Sequence, residues 1–87
     1  MGKVEAIRQA VIIFGGQQKM AAALGVSQPT VSGWMGRDGQ IGARYALPCH
    51  MLTSGRVKAY DLRPDLYPRT YIQIKRVSSV NNVEASL

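Results

Sequence analysis

An all-α domain of four to five short helices is the fold class this sequence predicts, on three observations. Val4, Ile7, Ala10, Val11 and Phe14 return at helical spacing. Gly15, Gly16, Gly25 and Gly36 then punctuate the chain at intervals that suit short helices. Residues that favour strands gather only after Pro68. A chain of 87 residues, 46% of them apolar, makes one small domain with a modest core.

The elements follow in order. Lys3, Glu5, Arg8 and Gln9 fill the polar face of a first helix of about three turns, which Gly15-Gly16 stops. A second helix runs from about Gln17 to Leu24. Ala21 sits where it crosses its successor, and only a small side chain lets the two backbones approach there. Gly25 takes the left-handed conformation that ends the helix. Val26 plugs the turn, and Ser27 is placed to cap the next helix. That third helix runs from about Gln28 to Met35, with Val31 and Trp34 turned into the core. Two helices joined under these constraints are the physical recipe of a DNA-reading helix-turn-helix.

Gly36-Arg37-Asp38-Gly39-Gln40 forms a glycine-rich connection to a fourth helix, from about Ala43 to Leu52, whose Tyr45, Pro48, Met51 and Leu52 are candidates for the core. Pro48 conflicts with a helix interior, so this helix either starts late, near Ala46, or is kinked. Ser54-Gly55 ends it. A single helical turn near Ala59 comes next, then an irregular segment, Asp61 to Pro68, pinned by Leu62, Leu66 and Tyr67. Beyond it, Tyr71, Ile72, Ile74 and Val77 make a β-favouring stretch with no partner in a helical domain. It either pairs with its copy in a second subunit or remains a flexible basic tail, and residues 80–87 fray. The chain thus divides into a helix-turn-helix domain, 1–68, and a C-terminal extension, 69–87.

Eleven Lys and Arg stand against five Asp and Glu, for a net charge of +6 and a pI near 10.0. That balance suits a polyanion. The excess leans toward residues 41–87, outside the helix-turn-helix. Cys49 stands alone, which excludes an internal disulfide and a cysteine zinc site and fits a reducing cytoplasm. No signal peptide or membrane span is expected. His50 has no ligand-spaced neighbours, so it reads as a core or surface histidine rather than a metal ligand. Ser27 and Ser32 lack a His and Asp to activate them. Trp34 shares the face of Val31 and is core rather than a stacking platform. No catalytic constellation, cofactor or small-molecule ligand is expected, and the protein is read as a non-enzyme.

Gln17 to Trp34 resembles the helix-turn-helix of phage repressors and Cro proteins, the lambda-repressor-like class. A wider set resembles the YdaS-type, Cro-like prophage regulators: Phe14-Gly15-Gly16-Gln17, Leu24-Gly25-Val26-Ser27-Gln28, Val31-Ser32-Gly33-Trp34 and Asp61-Leu62-Arg63-Pro64-Asp65-Leu66-Tyr67-Pro68. This resemblance covers roughly residues 5–68, and the last motif is its most specific part. It implies a five-helix domain, dimeric on DNA, that represses transcription from a phage or prophage control region. The family often carries a larger polar or basic residue where Gly33 stands, Pro where Gly42 stands, an acidic residue where His50 stands, and a residue other than proline at Pro29.

On this reading the third helix enters the major groove with its N-terminal end leading. Ser27, Gln28, Pro29, Ser32 and Gly33 are the candidate base contacts. The Gln28 amide can donate to N7 and accept from N6 of one adenine. Pro29 biases Gln28 toward an extended backbone, so that the regular helix begins at Pro29. Gly33 leaves an open spot on the reading face. Gln17, Gln18, Lys19, Arg37 and Arg44 are the candidate phosphate contacts, with Arg56 and Lys58 behind them. Gln17 is a side-chain phosphate donor by the family resemblance. Ala21, Gly25, Val26, Val31 and Trp34 are the structural core of the motif. The expected function is sequence-specific binding of duplex operator DNA as a homodimer in the cytoplasm, associated with the nucleoid. The alternatives are an antitoxin or other protein-interaction module on the same fold, or an antiterminator. The absence of any Asp or Glu between Lys19 and Arg37 favours DNA.

Overall fold

The computed structural model describes residues 2–68. Five α-helices follow in order: α1 (Lys3–Phe14), α2 (Gln17–Leu24), α3 (Gln28–Met35), α4 (Ala46–Leu52) and α5 (Ala59–Leu62), with a 3₁₀ turn over Ala43–Tyr45 leading into α4. No strand occurs among the described residues. The proposed strand or tail at 69–87 lies outside them. None of the helices is long and apolar enough to cross a membrane.

Local chemistry sets these limits. α1 ends where Gly15 enters the left-handed region at φ 94°, its N–H bonding back to the carbonyls of Val11 and Ile12. α2 ends the same way at Gly25, φ 74°. Both stops need a positive φ that a side chain resists. Val26 then sends its N–H 2.9 Å to the Ala21 carbonyl, which fixes the tight turn into α3.

α1 is the strut of the domain. It packs against α2, α3 and α5, while α2 and α3 pack on each other. Ala6, Ile7 and Ala10 of α1 meet Met20, Ala21, Val31, Trp34, Ile41, Ala46, Cys49, Val57 and Leu62 in one buried cluster. Ala21 and Ala10 supply the small surfaces that let helices approach. Trp34 is only 4% exposed and lies against the ring of Tyr45, centroids 5.4 Å apart. It is core, as its register with Val31 predicts.

Two expectations need correction. α4 does start at Ala46, and this seats Pro48 in its first turn, where a missing N–H leaves no hydrogen bond unmade. But α4 buries Ala46 and Cys49, with Thr53 just past its end, and leaves Pro48, Met51 and Leu52 exposed, the reverse of the expected face. Its small residues fit against the α1–α3 core, and the bulky ones are left outside. The Thr53 hydroxyl closes the helix by donating to the Cys49 carbonyl at 2.9 Å and accepting from the Val57 N–H at 3.2 Å. Leu66 is the second correction: it is 46% exposed and pins nothing. The segment from Asp61 to Pro68 is held by Leu62, by Tyr67 packed on the core, and by Arg63. The Arg63 guanidinium donates to the Ile41 carbonyl at 3.0 Å and to both carboxylate oxygens of Asp65 at 3.0 and 2.8 Å. These hydrogen bonds hold the Asp65 carboxyl below its ordinary pKa.

Candidate nucleic-acid interface

Ser27 starts α3. Its backbone is extended (φ −84°, ψ 157°), and its hydroxyl accepts from the Thr30 N–H at 3.3 Å while sharing a 2.9 Å hydrogen bond with the Thr30 hydroxyl. Thr30 was not singled out in the sequence. An S-x-x-T spacing after a glycine stop is the signal that would have found it. With the cap on Ser27, Gln28 is the first helical residue rather than an extended one. The cap outweighs the bias from Pro29, which sits in the first turn, where its lost N–H has no intrahelical partner.

The two faces of α3 separate cleanly. Val31 and Trp34 are buried and Met35 half-buried; Ser27, Gln28, Pro29 and Ser32 are exposed and Gly33 partly so. These five residues lie on the outward side of the helix, where Ser27, Gln28 and Ser32 supply the polar side chains. The open spot expected at Gly33 is instead roofed. A Cβ built there would lie 2.9 Å from Nη2 of Arg37 and 3.6 Å from Oδ2 of Asp38. Arg37 has folded back over α3, held by Nε donating to Oδ1 of Asp38 at 3.1 Å. The Asp38 N–H in turn bonds the Gly33 carbonyl at 2.9 Å. The Arg37 side chain stays 80% exposed. Asp38 was not among the residues singled out, because its role depends on a loop folding back onto a helix.

The phosphate candidates are spread over several elements. α2 has no side-chain cap: Gly16, at φ 128°, precedes it, and the first-turn amides at Gln17, Gln18 and Lys19 lie at the positive end of the helix dipole. Gln18 and Lys19 are exposed and Gln17 half-buried. The Lys19 chain lies back along Gly15, its Cδ 3.2 Å from where a Cβ of that glycine would be. Arg44 is exposed on the 3₁₀ turn. Arg56 donates to the Thr53 carbonyl, and Lys58 stands beside His50 at the α4–α5 corner. These last two belong to that corner rather than to the surface formed by α2 and α3.

Two other titratable groups have structural surroundings. Burial raises the Cys49 thiol to about 11, so it stays protonated and inert at neutral pH. The His50 Nδ1 accepts the Ala59 N–H at 3.0 Å and so joins α4 to α5. Burial, then the charge of Lys58, lowers its pKa. Among the described residues no three His, Cys, Asp or Glu side chains converge as a metal site would require.

A second surface lies on α4. Leu47 (42% exposed), Met51 (69%) and Leu52 (54%), with Pro48 between them, occupy one contiguous side of the helix opposite buried Ala46 and Cys49.

Comparison with known proteins agrees with this architecture. Residues 7–71 match the family described as bacterial toxin YdaS. A protein of Escherichia coli (strain K12), named as a candidate transcriptional regulator YdaS, is 39% identical over 59 residues, which take in 68% of this chain and 60% of that protein. The chain thus spans less than two thirds of that relative's length. The regulatory protein cro of Pseudomonas phage D3 is 40% identical over 57 residues, 66% of this chain and 78% of that one. Among solved structures, the Cro protein from a candidate prophage element, Xfaso 1, of Xylella fastidiosa strain Ann-1 superposes with a TM-score of 0.65 at 37% identity, over 69% of this chain and 91% of that one.

Proposed function

The chain belongs to the bacterial toxin YdaS family, and we propose that within it this protein is a Cro-like transcriptional regulator that reads duplex operator DNA as a dimer. One observation carries the reading: α3 buries Val31 and Trp34 and holds Gln28, Pro29 and Ser32 in solvent at its capped leading end. That is how a recognition helix meets a major groove. The charge of +6 supplies sequence-independent attraction to phosphate, and the uncapped start of α2 with Lys19 suits a backbone contact that fixes register. Names borne by the relatives, a regulator and a phage Cro, point the same way.

In this mechanism Gln28 pairs with one adenine through both atoms of its amide. Ser32, one turn on, is a shorter and less selective donor and acceptor. The exposed apolar side of α4 is the described surface best suited to dimer formation. It equally suits a protein-interaction module, such as an antitoxin against its partner, and that is the second reading.

Affinity measured for selected and scrambled duplexes across a salt series separates the two. A regulator prefers the selected duplex at every salt. Gln28→Ala should relax base preference at one position per half-site by about 1–3 kcal/mol. Lys19→Ala should weaken all sequences alike and lower the salt slope by about one. Equal affinity for both duplexes throughout would reject the regulator reading.

A further inference from the structure

We propose that Arg37 is a base-reading residue that uses the surface left bare by Gly33, and that Asp38 is its positioning residue. The proposal rests on the DNA-reading function above and assigns a specificity determinant within it.

Glycine within a helix costs about 1 kcal/mol relative to alanine, so bare backbone at position 33 weakens α3. The structure shows what fills the space. The Arg37 guanidinium lies where a side chain at 33 would begin, with Nη2 2.9 Å and Cζ 3.6 Å from the Cβ position. Gly33 follows Pro29 by one turn and is next to Ser32, so this spot belongs to the outward face of α3 and not to its flank. A phosphate clamp would be held out to the side, where the strands pass. Arg37 instead returns from beyond the end of the helix and lies on the face that would confront the base edges.

Asp38 fixes the plane of the group. Oδ1 accepts from Nε at 3.1 Å and Oδ2 lies 3.5 Å from Nη2, so one edge of the fork is taken. The backbone of Asp38 is itself tied to the Gly33 carbonyl. The remaining edge, Nη1 with the second proton of Nη2, offers two parallel donors to solvent. Two parallel donors match O6 and N7 of guanine, the commonest specific arginine contact in a major groove. The carboxylate also disfavours a phosphate at this spot by repulsion, which again favours a base edge.

The test is selection of bound half-sites from randomised duplex DNA, with the salt slope measured for each variant. Wild-type protein should require one G·C pair that R37A no longer requires, with discrimination at that pair falling 10- to 100-fold. The other positions and the salt slope should hold. D38N should lose part of the same discrimination. G33A, whose Cβ must push the guanidinium aside, should also relax that pair while leaving thermal stability equal or higher. A variant R37A that weakens every sequence alike and lowers the salt slope by about one would overturn the proposal and make Arg37 a phosphate contact. So would unchanged half-site preferences in R37A. A wild-type protein with no half-site preference would sink the DNA-reading function itself, a result distinct from either.

Discussion

α3 and α4 are short helices that both turn one face into the same core, yet they present opposite surfaces to water. α3 buries its bulk, Val31 and Trp34, and exposes Gln28, Pro29 and Ser32. α4 buries Ala46 and Cys49 and exposes Leu47, Met51 and Leu52. A polar face at a capped helix end suits a hydrated, charged groove; an apolar face suits another protein surface. Under the proposed function, the contrast assigns specificity to α3 and association to α4, so substitutions should damage one without the other.

The sharpest way to break the contrast is from inside. Trp34→Ala removes the buried ring that lies tilted against Tyr45 and holds α3 to the core. It should cost about 3–5 kcal/mol, seen as a lower midpoint in thermal or urea unfolding, and abolish DNA binding by loss of the fold. If Trp34→Ala melts like wild type, α3 is not anchored by its inner face.

A double change on the outer face of α4, Leu47→Asp with Met51→Asp, should leave the helical content unchanged, because both side chains face water. It should move sedimentation without DNA from dimer to monomer. The extension at 69–87 offers a competing route to a dimer. Truncation after Pro68 therefore belongs beside it: if truncation alone gives monomers and the double variant stays dimeric, the association surface is the extension and not α4.

The smallest effect is at the far corner. His50 must be neutral for its Nδ1 to accept the Ala59 N–H, and its folded pKa lies below the ordinary value. The folded state therefore binds the proton less readily than the unfolded chain. Its stabilising contribution is complete above about pH 6.5 and is lost as the pH falls through the lowered folded value. His50→Gln should flatten the pH dependence of the melting temperature across that acid range. An unchanged slope would remove His50 from the α4–α5 joint.

Much of this was legible in the sequence because the signals are local. Gly15 and Gly25 announce helix ends by their left-handed conformation, Ser27 announces a start by its cap, and Val31 with Trp34 gives the inner face of α3 by spacing. α4 was misread for a physical reason. Periodicity weighs bulk, and at α4 the bulk points outward while Ala46, Cys49 and Thr53 do the packing. Leu66 was overvalued on the same ground; the polar side chain of Arg63 provides the attachment instead. On the outward face of α3, the exposure of the positions from Ser27 to Gly33 follows from the motif. The return of Arg37 over Gly33 does not, because it depends on how a glycine-rich loop closes in three dimensions.

The attachment at Arg63 also bears on how the molecule comes into being. α1 meets α5, and the carbonyl of Ile41, on the segment that follows α3, meets the guanidinium of Arg63. On a ribosome, α1, α2 and α3 emerge first, but α1 waits for a partner that comes nearly last. Until Leu62 and Arg63 have cleared the exit tunnel, Ala6 and Ile7 stay wet on one side and the segment after α3 lacks its tether. The nascent chain thus cannot finish this domain early. The fold around α3 is complete only when the last turn of the domain closes against the first helix.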